Sequence, residues 1–246
     1  MDPEEEKKAN NRILRELRIL RLCNSPNVVS FYGAFLHEQD IFIMMEFMDL
    51  GSLESIYKKY GPIPEAVVGK ISLRILQGLI YLYQNHKIVH RDMKPSNILM
   101  SSLGEVKIAD FGVSKQLTNG TMAMTFTGTQ AYLAPERVRE GSNCSPVADV
   151  WGVGLTIVEV ATGVFPFPPE AMNSVMDLLE FINEEPSPTL TPGTFTDPFH
   201  SFIAHCLQKN PNERATPEQL LQSSFIVNTI NGPDVIQAWA GNLFKK

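Results

Sequence analysis

The stretch His90-Arg91-Asp92-Met93-Lys94-Pro95-Ser96-Asn97 decides the fold of this chain, and the residues after it complete the pattern. Two short apolar runs follow, Ile98-Leu99-Met100 and Val106-Lys107-Ile108, with the turn signal Ser-Ser-Leu-Gly between them. Short β-rich runs joined by such a turn predict a hairpin. Asp110-Phe111-Gly112 comes directly after the second run. A hairpin would therefore bring Asn97 and Asp110, which flank it, to the same spot.

The polar residues around this hairpin suit phosphoryl transfer. That reaction needs in-line positioning, neutralisation of phosphate charge and a group that receives a hydroxyl proton. Asp92 is a loop carboxylate that can accept or orient the proton, and Lys94 is a cation that can lie along the phosphate. Asn97 and Asp110 offer oxygen atoms, the ligands that Mg²⁺ prefers. We predict these four residues as catalytic, with Asn97 and Asp110 as the metal ligands.

Further motifs follow in a fixed order. Ala134-Pro135-Glu136 comes first, then Asp149-Val150-Trp151-Gly152-Val153-Gly154, and finally Arg214. Taken singly, Asp92 is more simply an ordinary loop carboxylate and Lys94 a solvated charge, because single short motifs arise by chance. The ordered set makes that simpler interpretation unattractive.

This order resembles the signature set of eukaryotic protein kinases and covers nearly the whole chain. Several sequence segments are, in addition, similar to those of the MAP kinase kinases. The resemblance implies an α+β, bilobal kinase-like fold with a mostly helical C-lobe, and an ATP- and Mg²⁺-dependent enzyme that phosphorylates Thr and Tyr of a MAP kinase. The segments that carry the finer likeness are Arg15-Glu16-Leu17, Asn24-Ser25-Pro26, residues 31–35, residues 45–53, residues 94–99 and residues 110–114.

The resemblance also implies roles for single residues. Met45 would be the gatekeeper, residues 46–48 the hinge that binds adenine through its backbone, and Leu99 the residue under the adenine ring. Glu136 would pair with Arg214. The nucleotide contacts that we predict are Met45, Glu46, Met48, Ser52, Lys94, Ser96, Asn97, Leu99 and Asp110. Asp149 would anchor the catalytic loop, and the regulatory spine would be Leu20, Phe31, His90 and Phe111.

The long segment 112–136 has little periodicity, and a loop of that length inside a compact domain is usually functional. By the same resemblance Thr121 and Thr125 would be phosphorylated, and Arg91 could receive the added negative charge. Thr118 and Thr127 are spare candidates. All of them could also be plain loop threonines.

Periodicity and turn signals divide the chain into three parts. We predict a partial kinase N-lobe at residues 1–48, a kinase C-lobe at 49–230 and a docking-like tail at 231–246. The N-lobe would hold a helix at 4–22 and strands at 28–36 and 41–47. The helices predicted for the C-lobe are 53–60, 64–85, 146–163, 171–183, 197–208 and 217–224.

The tail has two interpretations. Asp234-Val235-Ile236-Gln237-Ala238-Trp239 resembles the element through which upstream kinases hold MAP kinase kinases, which makes a MAP kinase kinase kinase an expected partner. The same apolar residues could instead belong to a last helix that packs on the core.

Kinases of this type place a Gly-rich loop and a strand lysine before the helix that carries Glu16. No GxGxxG occurs in the sequence, and no such lysine precedes Glu16, so we expect a truncated N-lobe. Three explanations stay open: a fragment or truncated gene model of an active enzyme, a short form that docks partners without catalysis, or a kinase that uses another cation. We favour the first, because Asp92, Lys94, Asn97 and Asp110 are all present.

Composition excludes several other classes. The formal charge is −6, from 21 basic and 27 acidic residues, which argues against a nucleic-acid binder with a generally basic surface. The chain has three cysteines, which are far apart and form no CxxC pair: Cys23, Cys144 and Cys206. This pattern predicts reduced thiols rather than a disulfide frame or a zinc site. No apolar run is long enough for a membrane span, and the charged N-terminus is no signal peptide. We therefore expect a cytoplasmic protein.

Overall fold

The computed structural model describes residues 20–37, 40–110, 131–140 and 145–244. Residues 20–22 are helical, and they are followed by a two-stranded antiparallel ribbon. Strand β1 is Phe31–His37 and β2 is Asp40–Met45, with Phe35 opposite Phe42. The predicted strand pair is therefore confirmed, with each strand shorter than predicted at one end.

A second, three-stranded sheet lies beside the functional residues. Its strands are β3 (Gly51–Ser52), β4 (Ile98–Met100) and β5 (Val106–Ile108), and β4 is central and antiparallel to both. The predicted hairpin of β4 and β5 is confirmed at its predicted bounds. Val28 forms a parallel bridge with Ile108, so the segment before the ribbon is joined to this sheet.

The other regular elements of the described chain are helices, and the fold is α+β. A 3₁₀ turn at Pro95–Asn97 precedes β4, and another at Pro169–Met172 precedes α5. The helices are α1 (Leu53–Tyr60), α2 (Glu65–His86), α3 (Pro135–Glu140), α4 (Pro146–Thr162), α5 (Val175–Glu184), α6 (Asp197–Cys206), α7 (Pro217–Leu221), α8 (Ser224–Asn231) and α9 (Ile236–Phe244).

Helices α2 and α4 form the centre of the core. Fourteen residues of α4 are buried, among them Trp151, and the apolar side of α2 packs against α4, α7, α8 and β5. Among the described residues α2 is the one helix long and apolar enough to cross a membrane by length and composition, but 61% of that apolar window is buried inside the protein. Its apolar character is thus accounted for by the core.

Two predicted helices were wrong in their bounds. The helix predicted at 171–183 begins later, because Ser174 accepts the backbone N–H of Asp177 at 3.1 Å and caps α5. The helix predicted at 217–224 ends at Leu221. A second helix begins after Ser223, whose hydroxyl accepts the N–H of Ile226.

The tail from residue 231 packs against the body of the protein. Ile236, Ala240 and Leu243 of α9 are buried in the main core, and Val235 and Trp239 are partly buried against it. The second interpretation of the tail, a last helix that packs on the core, is therefore confirmed. Gln237, Ala238 and Asn242 remain exposed on its outer side.

Candidate active site

The loop from His90 to Asn97 connects α2 to β4, and helix α4 holds its start in place. The buried carboxylate of Asp149 accepts the backbone N–H of His90 and that of Arg91, each at 2.7 Å. Burial raises the pKa of Asp149, while the charge of His90 and these two N–H groups act in the opposite direction. Asp149 thus anchors the loop backbone, as predicted.

Two further contacts fix the loop. A ring nitrogen of His90, Nε2, lies 2.8 Å from the carbonyl oxygen of Ala109. Arg137 of α3 donates from Nη1 to the carbonyl oxygen of Arg91 at 2.8 Å. Arg91 has φ of 69°, in the left-handed region, so these bonds hold a backbone conformation that few residues adopt. Arg137 had not been predicted, because its contact depends on how α3 folds back onto the loop.

The structure brings Asp92, Lys94 and Asn97 together. Lys94 Nζ lies 3.2 Å from Asp92 Oδ2. The side-chain nitrogen of Asn97 donates to the carbonyl oxygen of Asp92 at 2.8 Å and to its Oδ2 at 3.2 Å. A carboxylate, a cation and an amide therefore share one small region at the end of the loop.

Asp110 lies at the same end of the hairpin as Asn97. The N–H of Ala109 donates to the carbonyl oxygen of Asn97 at 2.9 Å, and Ile98 is paired with Ile108. Asp110 is exposed and has φ of 57°, so the chain turns sharply at this carboxylate. The predicted proximity of Asn97 and Asp110 follows from this register.

These two residues fit a magnesium ion by the chemistry of their donor atoms. Since the nitrogen of the Asn97 amide is committed to Asp92, the amide oxygen is the atom left for a cation. The exposed carboxylate of Asp110 supplies a second hard oxygen, which is the ligand type that Mg²⁺ selects. No group of three or more His, Cys, Asp or Glu residues suited to a metal occurs in the described part of the chain.

The comparison with known families agrees with this geometry. The family profile described as "Protein kinase domain" matches residues 1–226, which is most of the chain. The chain belongs to the protein kinase family.

Two curated relatives of this kinase domain are dual specificity kinases by name, and the first is named as a MAP kinase kinase. The chain is 44% identical, over 239 residues and 87% of its length, to "Dual specificity mitogen-activated protein kinase kinase dSOR1" of Drosophila melanogaster. It is 38% identical, over an alignment of 286 positions and 94% of its length, to "Dual specificity protein kinase FUZ7" of Mycosarcoma maydis. The chain spans 60% and 65% of the lengths of these two relatives.

The predicted nucleotide contacts of the kinase domain are distributed over both sheets and the segments beside them. Met45 ends β2, Met48 is buried, and Leu99 in β4 pairs with Ser52 in β3. The hydroxyl of Ser52 accepts the N–H of Ser55 at 3.2 Å as the N-cap of α1. This capping bond gives Ser52 a structural role in addition to the predicted contact.

The segment with Glu46 is held by contacts that had not been predicted. The backbone N–H of Glu46 donates to Ser30 at 2.9 Å, and its carboxylate forms an ion pair with Lys107 of β5. At the other end of this segment, Asp49 accepts the backbone N–H of Ser102 at 2.7 Å and its hydroxyl at 2.6 Å. A lysine inside an otherwise apolar strand is the sequence signal that could have suggested such a partner.

A cavity of about 630 Å³ opens beside Lys94 and Ser96. Its wall includes Tyr132 and Glu159, and both Tyr57 and Tyr132 donate their hydroxyls to the Glu159 carboxylate at 2.5 Å. Burial raises the pKa of Glu159, and the two hydroxyls only partly counteract it.

The remaining predicted contacts of the kinase domain are partly described. Glu136 and Arg214 form a bidentate pair at 2.7 and 2.9 Å, as predicted. Leu20 belongs to a small buried cluster against which Phe31 packs, in agreement with their predicted proximity. The predictions that lie outside the described residues concern Glu16, Phe111, Thr118, Thr121, Thr125, Thr127 and Cys144.

Proposed function

We propose that the chain is the kinase domain of a MAP kinase kinase, which transfers the γ-phosphoryl group of ATP to Thr and Tyr of a MAP kinase. The observation that carries the proposal is the cluster of Asp92, Lys94 and Asn97 beside Asp110. The names of both relatives support dual specificity, and the name of the Drosophila melanogaster relative supports a MAP kinase as the substrate class. The cytoplasmic location stays a prediction.

Each residue of the cluster has a separate task in this mechanism. Asp92 orients the substrate hydroxyl and receives its proton, which makes the oxygen a better nucleophile. Lys94, whose Nζ is 3.2 Å from Asp92 Oδ2, places a positive charge beside the reacting oxygen and the transferring phosphoryl group. Asn97 holds the Asp92 carboxylate in position through its amide nitrogen.

Asn97 and Asp110 are the residues that would hold Mg²⁺ through the amide oxygen and the carboxylate. A bound Mg²⁺ neutralises phosphate charge and supports the leaving group. Met45, Glu46, Met48, Ser52, Ser96 and Leu99 are proposed to surround the nucleotide. Phosphorylation of Thr121 and Thr125 would add negative charge that Arg91 can receive.

The proposed partners are a MAP kinase as substrate and an upstream MAP kinase kinase kinase that holds residues 231–246. Since the inner side of α9 is buried, the exposed residues Gln237, Ala238 and Asn242 would carry that contact.

The test is transfer of labelled phosphate from ATP to a catalytically inactive MAP kinase. Asp92→Asn removes the proton acceptor and keeps the shape, so we expect transfer to fall by about 10²- to 10⁴-fold. Asp40→Asn, at an exposed position in the ribbon, serves as the matched control and should keep the wild-type rate. Thermal unfolding of all three proteins shows whether they are folded.

Equal transfer by the wild type and Asp92→Asn would contradict the proposal. The other function considered is an inactive docking module. It predicts no transfer by any variant, together with retained binding of the MAP kinase in a pull-down with purified proteins.

A further inference from the structure

Lys107 is a charged residue in a strand whose other members are buried and apolar. Its side chain is 8% exposed, and Nζ forms an ion pair with Glu46, whose side chain is 19% exposed. Glu105 contributes a more distant carboxylate at 3.7 Å. Burying the ammonium group of a lysine is unfavourable unless a carboxylate is paired with it. Glu46 therefore offsets the cost of burying Lys107 in this strand.

Glu46 is held by more than this ion pair. Its Oε2 accepts the backbone N–H of Ser30 at 3.1 Å. Burial on its own would raise the pKa of Glu46, but the hydrogen bonds from Lys107 and Ser30 outweigh burial and lower it. The carboxylate is therefore ionised at neutral pH and faces Lys107 with a full charge.

The two partners meet at the adenine end of the proposed nucleotide site, and the strand that carries Lys107 leads from there to Asp110. Glu46 lies in the segment assigned to adenine, directly after β2. Lys107 lies in β5, three residues before Asp110, which corresponds to about 10 Å of extended strand. Lys107 is also paired with Leu99, so β5 is fixed relative to β4 and to Asn97 before it.

We propose that Lys107 is a positioning residue, because its ion pair with Glu46 sets the distance between the adenine segment and the Asp110 carboxylate. This inference rests on the proposed function, since it concerns the same nucleotide site. A ligand that spans both ends binds well only when the two ends are already at the correct separation. A ligand that contacts one end alone is insensitive to that separation.

Adenosine and Mg-ATP separate these two cases. Adenosine contacts the adenine segment alone, whereas Mg-ATP reaches from that segment to Asn97 and Asp110. In Lys107→Met we expect the Kd for Mg-ATP to rise about tenfold, while the Kd for adenosine changes by less than about twofold. Both constants can be measured on the full chain by ligand-observed NMR or isothermal calorimetry.

Three further proteins make the experiment decisive. Lys107→Arg keeps the charge and should recover most of the Mg-ATP affinity. The double variant Glu46→Leu/Lys107→Met removes both buried charges, so it should regain thermal stability without regaining the Mg-ATP affinity. Lys58→Met breaks the exposed pair of Lys58 with Glu54, and both Kd values should stay at the wild-type level.

Each outcome is informative. If Lys107→Met weakens adenosine and Mg-ATP by the same factor, or leaves both unchanged, the pair only supports folding and the inference is wrong. If the double variant regains Mg-ATP affinity together with stability, the inference is wrong as well. Failure of the wild type to bind either ligand would contradict the proposed function itself, and the inference with it.

Discussion

Arg214 uses all three nitrogens of its guanidinium group. Nε donates to the carbonyl oxygen of Gln208 at 2.8 Å, and Nη1 and Nη2 donate to the carboxylate of Glu136. The ring of Trp151 lies below the guanidinium, 5.3 Å from it. This single side chain therefore ties α3, α4 and the segment before α7 together.

Arg214→Met is expected to destabilise the protein by about 3–5 kcal/mol, because it leaves the carboxylate of Glu136, whose side chain is only 10% exposed, without its cation. Lysine at this position cannot form the same fork, so Arg214→Lys should recover little of the loss. Urea unfolding gives both values. Arg74→Met, at an exposed site on α2, is the control, and a similar loss there would contradict the explanation.

Glu159 should make stability depend on pH. Its ordinary pKa is 4.5, and burial raises the pKa in the folded protein. The folded state therefore binds more protons than the unfolded chain between these two values. The stability contributed by protonated Glu159 is fully present below pH 4.5 and is lost as the pH rises through the higher, folded value.

Glu159→Gln does not titrate, so its stability relative to the wild type should increase as the pH rises above about 4.5 and then level off. Denaturant unfolding at a series of pH values measures the difference. A difference that stays constant with pH would show that the folded and unfolded pKa values are equal.

At the scale of elements, α9 packs directly on the turn between β4 and β5. Gly104 in this turn has φ of 83°, and a Cβ atom there would lie 2.8 Å from the Cα of Gln237. Ser102 in the same turn is bonded to Asp49. The last helix therefore supports the segment that leads from the proposed adenine site into β3.

Gly104→Ala should lower the free energy of unfolding by more than backbone strain alone would, because the added methyl group would clash with the backbone of α9. Gly193→Ala is the matched control: its φ is 76°, yet nothing lies within 4 Å of the added Cβ. We expect Gly193→Ala to lower the free energy of unfolding by about 1–2 kcal/mol, and Gly104→Ala to lower it by about 1–3 kcal/mol more. Thermal unfolding, with hydrogen exchange of α9, measures the difference, and equal losses would exclude the clash.

Elements with strong local signals could be predicted from the sequence, and those set by tertiary contacts could not. The β4–β5 hairpin has apolar runs around a clear turn, and its bounds were correct. Ser174 and Ser223 cap new helices inside stretches with continuous apolar periodicity, so the pattern alone placed the ends of α5 and α7 wrongly. The pairing of Lys107 with Glu46 joins residues 61 positions apart, and only the folded sheet brings them together.

At the scale of the whole molecule, the ribbon of β1 and β2 stands out because both of its faces expose apolar side chains. Phe35 and Phe42 stack on one face with ring centroids 5.2 Å apart, and half of the Phe35 surface is exposed. Phe47 beyond the ribbon is 85% exposed. Apolar surface of this extent favours association.

We expect the isolated chain to self-associate at rising concentration through this ribbon. Phe35→Glu/Phe42→Lys replaces the stacked pair by opposite charges that face each other across the strands, and it should reduce association without loss of pairing. Sedimentation velocity measures the effect. Ile230→Lys, at an exposed site on α8, is the control, and an equal effect of that variant would exclude the ribbon as the cause.

The bridge between Val28 and Ile108 has a consequence for synthesis on the ribosome. Since 80 residues separate the two partners, the first emerges from the ribosome well before the second. At about 5–20 residues per second, the wait lasts roughly 4–16 s. Val28 is buried in the folded protein but has no strand partner during this interval, so a nascent chain would be a substrate for chaperones until β5 has been made.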